Sequence, residues 1–154
     1  MLDGDTIRIN TGEPVRYLGI DAPEKNKAYG QSATKHNEEY VLGKTVRLEY
    51  DYQTHDQYGR ILAYVWVDDT LVNEKIVEEG YATFYTIPKT RKLKYADRLQ
   101  RTQQWAKEHH NGMWIEEWKE QFHSLTRTNK KLTILKVRKV TFQTNHEHTA
   151  INRS

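Results

Sequence analysis

The apolar residues of this chain occur in short runs separated by turn-forming residues, and this pattern constrains the fold most. Thr6–Asn10 and Thr45–Tyr52 alternate apolar and polar residues with the period of a half-buried strand, whereas Ile61–Val67 is continuously apolar. Thr11-Gly12 separates the first run from a further apolar-rich strand at Val15–Ile20, which predicts a hairpin. The sequence therefore predicts several short antiparallel strands.

The composition allows a small folded core and excludes several classes of protein. Leu, Ile, Val and Phe make up 32 of the 154 residues, and ten Tyr and four Trp add apolar area. The absence of cysteine excludes a disulfide scaffold, a thiolate metal site and a cysteine nucleophile. No apolar run approaches the roughly 18 residues that span a bilayer, so we predict no membrane partner.

Three segments have helical patterns: Gln31–Leu42, Val72–Glu79 and Arg91–His109. Each is followed closely by a glycine, the residue that most often ends a helix. Short strands combined with these helices predict an α+β fold that is mainly β, a small, partly open barrel of the OB type packed by helices.

The basic residues are concentrated at the C-terminal end. Residues 1–120 contain 17 Lys and Arg against 20 Asp and Glu, whereas residues 121–154 contain 7 against 1. We therefore predict a domain over residues 1–120 and a basic extension over residues 121–154. Within the extension, Leu132–Phe142 is strand-like. Two roles are open for it: pairing with an edge of the barrel, or nonspecific contact with phosphates.

Three polar clusters carry the chemistry: Asp3–Thr6, Arg16–Glu24 and Asp56–Arg60. Each alone is typical of a turn or a strand end. Together they supply carboxylates, whose oxygens suit a hard divalent cation, and guanidinium groups, which bind phosphate through two parallel hydrogen bonds. A metal, two arginines and a spare carboxylate are the parts that phosphodiester hydrolysis needs.

The motifs D-G-D-T, R-x4-D-x-P-E and Y-G-R occur here in an order and at a spacing that resemble the staphylococcal nuclease (thermonuclease) family. Three further segments resemble helical segments of that family. They match the start of its first helix, its second helix and the end of its last helix: Tyr29-Gly30-Gln31, Val72-Asn73-Glu74 and Gly112-x-Trp114. The resemblance covers about residues 3–116. It implies an OB-type five-stranded barrel with three helices. Because only Met1-Leu2 precede the first motif, we expect the first strand of that barrel to be truncated.

The resemblance also implies an activity and a set of site residues. The expected reaction is calcium-dependent endonucleolytic cleavage of DNA and RNA, with a preference for single strands, leaving 3′-phosphate ends and carried out by a monomer. By position, Asp5, Asp21 and the carbonyl of Ala22 resemble the Ca²⁺ ligands, although a threonine is familiar where Ala22 stands. The remaining positions that match the family are a general base, two phosphate-binding arginines and two tyrosines beside the nucleotide: Glu24, Arg16, Arg60, Tyr58 and Tyr85.

Two other functional classes stay open from the sequence. A non-catalytic module with a nuclease-like fold would bind nucleic acid or protein, but such modules usually lack part of the carboxylate and arginine set that is complete here. A purely structural barrel leaves the convergence of these residues unexplained. The compartment is also open: the resemblance implies secretion if the N-terminus is truncated, and a cytoplasmic location if the chain is complete.

Overall fold

The computed structural model describes residues 3–87 and 91–125 of the chain. The chain divides into two compact units, Met1–Ile115 and Glu116–Ser154, and every predicted site residue lies in the first. The predicted strand Leu132–Phe142 lies outside the described residues, and the predicted domain boundary at residue 120 stays a prediction. Each helix within residues 3–87 and 91–125 is too short or too polar to cross a membrane.

The described strands form a five-stranded sheet and a separate two-stranded sheet. In chain order they are β1 (Thr6–Arg8), β2 (Pro14–Tyr17), β3 (Ile20–Asp21), β4 (Arg47–Glu49), β5 (Ile61–Val67), β6 (Thr70–Leu71) and β7 (Thr83–Phe84). The central strand is β5, which pairs in parallel with β2 and antiparallel with β4 and β6. Its continuously apolar sequence follows from this central position, because its residues pack against the core and neighbouring strands.

The predicted hairpin is confirmed by the antiparallel pairing of β1 with β2, in which Ile7 lies opposite Val15. The strand predicted over Thr45–Tyr52 is shorter than expected, because only β4 pairs with the sheet. After β4, the Asp51 carboxylate accepts hydrogen bonds from the backbone N–H groups of Tyr52 and Lys94, at 2.8 Å each. Side-chain hydrogen bonds thus replace the sheet ladder in this segment.

The α+β class is confirmed, and in the described part of the chain the strands of the larger sheet do not close into a barrel. The larger sheet runs in the order β1-β2-β5-β4, and β1 and β4 are the ends of that path. Both strands are only three residues long, and an apolar groove of about 430 Å³ separates them. Its lining includes Ile7, Ile9, Val41, Val46 and Leu48.

The number of helices is also corrected. The three predicted helices are present as α1 (Gly30–Val41), α2 (Val72–Glu78) and α3 (Ala96–Glu108), and the described residues contain a fourth helix, α4 (residues 114–125). The helix α3 begins later than predicted because the Lys94 N–H donates to Asp51 outside the helix. The helix α3 ends at Glu108, before Asn111-Gly112, and the chain resumes a helix at residue 114.

The core lies between the sheet and the first three helices, and a buried asparagine joins its parts. Asn73 is fully buried at the start of α2, where its Oδ1 accepts a hydrogen bond from the Val65 N–H at 2.9 Å. Its Nδ2 donates to the Leu18 carbonyl at 2.8 Å. One amide thus satisfies two buried backbone groups and ties α2 both to β5 and to the segment that leads into β3.

We predict that Asn73→Ala lowers the free energy of unfolding by about 2 to 4 kcal/mol, because it leaves a buried N–H and a buried carbonyl without partners. Urea unfolding at neutral pH measures this change. Lys75→Ala, an exposed substitution on the same helix, is the matched control and should change stability by less than about 1 kcal/mol. Equal stabilities for the Asn73 variant and the unmodified chain would contradict the role given to this amide.

Candidate active site

The turn before β1 brings Asp5 against the segment that follows β3. This approach depends on Gly4, because a Cβ there would lie 2.6 Å from the Cβ of Ala33 and 2.8 Å from that of Ala22. With no side chain at residue 4, the buried Asp5 carboxylate accepts a hydrogen bond from the Ala22 N–H at 2.7 Å. Two motifs that are 17 residues apart in the chain thus meet through one hydrogen bond.

Arg16 connects the two carboxylates. From β2, its Nη2 lies 3.1 Å from Asp5 Oδ2 and 3.0 Å from Asp21 Oδ1, and its Nη1 donates to the carbonyls of Tyr17 and Ile20 at 2.8 Å each. Only 15% of the Arg16 side chain and 7% of the Asp5 side chain are exposed, so their contact is largely shielded from water, whereas the Asp21 side chain is 58% exposed. Asp5 and Asp21 therefore converge on one nitrogen atom.

The carboxylates outnumber the positive charges at this point. Arg16 faces Asp5 and Asp21, and the Asp3 carboxylate accepts a hydrogen bond from the Asp5 N–H at 3.1 Å. Burial raises the pKa of Asp5 to about 7, although the Arg16 guanidinium and the Ala22 N–H act in the opposite direction. More carboxylates than guanidinium groups lie here, and carboxylate oxygens are the ligands that a hard cation prefers.

A metal at this position would depend on few protein ligands. Within residues 3–87 and 91–125, no three His, Asp or Glu side chains group closely enough to hold a metal ion by themselves. The donor set that converges here is the Asp5 and Asp21 carboxylates, to which the Ala22 carbonyl would add a third oxygen. These hard oxygens fit Ca²⁺ in chemical type, and water and substrate would have to complete the coordination.

Arg60 is positioned by a tight turn built around Asp56. Asp56 Oδ1 accepts the N–H groups of Tyr58 at 2.9 Å and Arg60 at 3.0 Å, and its Oδ2 accepts from Arg60 Nε at 2.6 Å. In the described residues no acceptor lies against Arg60 Nη1 or Nη2, so both can bind a ligand. The guanidinium carbon also lies 5.7 Å from the centre of the Tyr58 ring. One turn thus presents an aromatic face and a guanidinium together.

A groove of about 610 Å³ runs beside these groups. Tyr85 reaches it because β7 pairs with β3 and the Tyr85 N–H donates to the Gly19 carbonyl at 2.9 Å. Tyr58 and Tyr85 are both exposed there. The residues predicted from the sequence that line this groove are Arg16, Asp21, Tyr58, Arg60 and Tyr85.

Glu24 lies apart from that lining. Its side chain is exposed, and within the described residues no group donates a hydrogen bond to its carboxylate. Its backbone is nevertheless held firmly, since a Cβ on Gly30 would lie 1.9 Å from the Glu24 carbonyl oxygen. The Lys27 N–H also donates to that oxygen at 2.8 Å. The start of α1 therefore fixes the loop that carries Glu24.

Comparison with known proteins gives the family. The model of the staphylococcal nuclease homologues matches residues 14–116. This chain belongs to the staphylococcal nuclease family.

It is 35% identical to the thermonuclease of Staphylococcus hyicus over 125 residues, which covers 74% of this chain and 72% of that protein. It is similarly 36% identical to the thermonuclease of Staphylococcus intermedius, with the same shares covered. It is also 38% identical to endonuclease YncB of Bacillus subtilis, covering 73% of this chain and 58% of that protein.

Some residues of the staphylococcal nuclease motifs contact each other in the structure, whereas others lie apart. The structure joins Asp5, Arg16, Asp21 and Ala22 by direct contacts, and Arg60 shares a groove with Arg16. Asp5 and Ala22 lie outside the lining of that groove, as does Glu24. Asp5 also precedes the residues that the family model matches. The individual roles of these residues stay predictions.

Two supporting residues escaped the sequence analysis. The Asp56–Arg60 motif does not by itself indicate a role for Asp56, although its spacing to Tyr58 and Arg60 is typical of a turn closed by an aspartate side chain. Asn37 belongs to none of the three motifs. It is buried on α1, accepts a hydrogen bond from the Tyr17 hydroxyl at 2.8 Å and donates to the Asp3 carbonyl at 3.1 Å. Its partners are distant in the chain, so no local pattern could have indicated it.

We predict that Asp56→Asn lowers the free energy of unfolding at pH 7 by about 1 kcal/mol, and that the difference shrinks in acid. Burial alone would raise the pKa of Asp56, but hydrogen bonds from Arg60 and the Tyr58 N–H lower it below its ordinary value of 3.8. The charge therefore stabilises the fold above that value, and the stabilisation is lost as the pH falls through the lower pKa of the folded state.

Urea unfolding at pH 7 and pH 3 measures this dependence. Asp69→Asn, which removes an exposed carboxylate from a turn, is the matched control. A difference between the Asp56 variant and the unmodified chain that is the same at both pH values would contradict the prediction.

Proposed function

We propose that this chain is a calcium-dependent endonuclease that hydrolyses phosphodiester bonds of DNA and RNA, prefers single strands, leaves 3′-phosphate ends and acts as a monomer. The observation that carries the proposal is the pair of guanidinium groups, Arg16 and Arg60, along one groove next to the Asp5 and Asp21 carboxylates. The names of the relatives, thermonuclease and endonuclease, support the same reaction class.

The Asp5 and Asp21 carboxylates and the Ala22 carbonyl are the groups that would hold Ca²⁺. When bound, Ca²⁺ would offset the negative charge that grows on a phosphate oxygen during hydrolysis. Because few protein carboxylates contribute, we expect weak binding, with a dissociation constant on the order of 10⁻⁴ to 10⁻³ M. Arg16 now contacts both carboxylates, so its guanidinium would have to share them with the cation.

Glu24 supplies the base in this proposal. Its exposed carboxylate, which no described group occupies, accepts a proton from a water molecule. The water oxygen forms a bond to phosphorus, and the bond from phosphorus to the 5′ oxygen breaks. The 5′ oxygen leaves and acquires a proton, while the phosphate stays on the 3′ side. The backbone that carries this base packs closely against Gly30 at the start of α1.

The two arginines stabilise charge on the phosphate oxygens. Arg60 is the better placed of the two, because Asp56 holds Nε and leaves both terminal nitrogens available. Two parallel donors match two phosphate oxygens, and they are most effective when negative charge accumulates there. Tyr58 and Tyr85 offer aromatic faces on which bases can stack without a preference for sequence.

A second candidate function is a non-catalytic module that binds nucleic acid. One observation favours it: Glu24 does not line the groove, and the Arg16 guanidinium is already occupied by four acceptors. Such a module would bind nucleic acid without cutting it, with or without calcium.

We expect the purified chain to degrade single-stranded DNA with Ca²⁺ and to lose this activity with excess chelator. Glu24→Gln should still bind the DNA but cleave it at least about a hundred-fold more slowly, because only the base is removed. Gel electrophoresis of an end-labelled oligonucleotide follows the cleavage, and treatment with a phosphatase identifies 3′-phosphate ends.

Full activity in chelator would contradict the role of calcium, and full activity of Glu24→Gln would contradict the role of the base. Binding of DNA with no cleavage under any condition would support the non-catalytic module instead. Glu38→Gln, which changes a glutamate on the outside of α1, is the matched control and should cleave at the normal rate.

Arg60→Lys is expected to lower kcat much more than it weakens binding. Lysine keeps the positive charge but loses the planar arrangement of donors that can bind two oxygens together. Steady-state cleavage kinetics separate the two effects, and Arg101→Lys on the exposed side of α3 is the control. A change confined to KM would mean that Arg60 attracts the phosphate and does not act in the transition state.

A further inference from the structure

A second pair of a tyrosine and an arginine, to which no role has been given, stands at the groove: Tyr52 lines it, and Arg91 lies against the Tyr52 ring. Tyr52 lines the groove together with Arg16 and Arg60, and it is 41% exposed. The guanidinium carbon of Arg91 lies 5.9 Å from the centre of its ring. The separation is close to the 5.7 Å between Arg60 and the Tyr58 ring. Two exposed tyrosines of the groove therefore each lie beside a guanidinium, although Arg91 itself does not line the groove.

The second pair is built on anchored backbone. The Asp51 carboxylate accepts the Tyr52 N–H at 2.8 Å, the Lys94 N–H at 2.8 Å and the Tyr64 hydroxyl at 2.9 Å. This one side chain fastens the segment before Tyr52 to the segment after Arg91, although the two are 43 residues apart. Leu93, between the anchored Lys94 and Arg91, lines the same groove. The backbone of Tyr52 is thus held in place, and the chain is anchored again three residues after Arg91.

Arg91 also differs from the cations around it. Lys92 pairs with Asp97, Lys94 pairs with Glu49 and Arg98 pairs with Glu74. Among the described residues, Arg91 has no carboxylate within ion-pair distance and its side chain is exposed. The nearby Asp51 has its oxygens occupied by the three donors named above. Burial alone would raise the pKa of Asp51 and the Arg91 charge helps to lower it, but the guanidinium forms no ion pair among the described residues and can bind an anion.

We propose that Tyr52 and Arg91 form an additional nucleotide subsite for single-stranded nucleic acid, in which a base stacks on the Tyr52 ring and Arg91 binds a neighbouring phosphate. This inference rests on the proposed function and adds to it a substrate that extends beyond the cleaved phosphodiester. A stacking face of this kind needs an unpaired base, which a duplex does not offer. Tyrosine stacking tolerates every base, so the subsite contributes length preference and no sequence preference.

Binding is measured without cleavage, by fluorescence anisotropy of a labelled twelve-residue oligothymidylate in excess chelator. We expect Tyr52→Ala to weaken binding at least about five-fold, and Tyr52→Phe to restore it, because the phenyl ring is enough for stacking. The control is Tyr50→Ala, which removes a tyrosine that is 50% exposed two residues away but does not line the groove. This control should bind like the unmodified chain.

The arginine is tested through the salt dependence of the same binding. Arg91→Gln should reduce the slope of log K against log salt concentration by about 0.7, the value for one phosphate contact with a single strand. Lys92→Gln removes the same charge from the adjacent residue, which is already paired with Asp97, and should change the slope less.

Kinetics with Ca²⁺ separate this inference from the proposed function. In the Tyr52→Ala variant, KM for the oligonucleotide should rise more than KM for a substrate with a single phosphodiester, because only the oligonucleotide extends to the subsite. Loss of binding in Tyr52→Ala without any calcium-dependent cleavage would support the subsite and overturn the nuclease. Normal cleavage together with unchanged oligonucleotide binding in Tyr52→Ala and Arg91→Gln would overturn the subsite alone. No binding by the unmodified chain in chelator, together with no cleavage with Ca²⁺, would overturn both.

Discussion

The Arg16 guanidinium is the interaction on which the arrangement of the candidate site depends. It reaches from β2 to the Asp5 turn, to two backbone carbonyls and to Asp21 at the end of β3. Because β2 pairs in parallel with the central strand β5, the guanidinium starts from the most rigid part of the sheet. The positions of both carboxylates are thereby tied to the core. A charged group so little exposed is tolerated because nearly all its donors have acceptors.

Carboxylates in this protein serve mainly as acceptors that fix the backbone beside a functional side chain. Asp5 holds Ala22, Asp51 holds Tyr52 and Lys94, and Asp56 holds Tyr58 and Arg60. In each case one side chain closes a loop that the short strands cannot stabilise by themselves. The chain has few apolar residues and therefore a small core. Several charge-assisted hydrogen bonds supply part of the stability that a larger core would give.

Elements that depend on the order of neighbouring residues could be predicted from the sequence. Features that depend on contacts between residues far apart in the chain could not. The hairpin of β1 and β2 and the three helices followed from periodicity and from glycine positions. Asn111-Gly112 predicts the end of the last helix, so the sequence analysis contains no α4. The helical spacing of Trp114, Trp118 and Phe122 is the signal that indicates it. The length of β4 could not be predicted, since the segment after it is held by a hydrogen bond between Asp51 and Lys94, which is 43 residues further along the chain. The motifs located the carboxylates and arginines, but only the fold shows that Glu24 lies apart from the groove and that Asp51 joins two of its walls.

The Asp56 turn has a consequence for how such a site can diverge. Tyr58 and Arg60 are separated by one residue and held by the same carboxylate, so an inserted or deleted residue would displace both together. Natural or laboratory evolution could not adjust base recognition by altering the length of this loop without damaging phosphate recognition. Variation is easier on the opposite rim, where the side chains of Tyr85, Thr86 and Ile87 enter the groove from a segment that carries no guanidinium. That rim is the place to introduce diversity in a library designed to change which nucleotides the groove accepts.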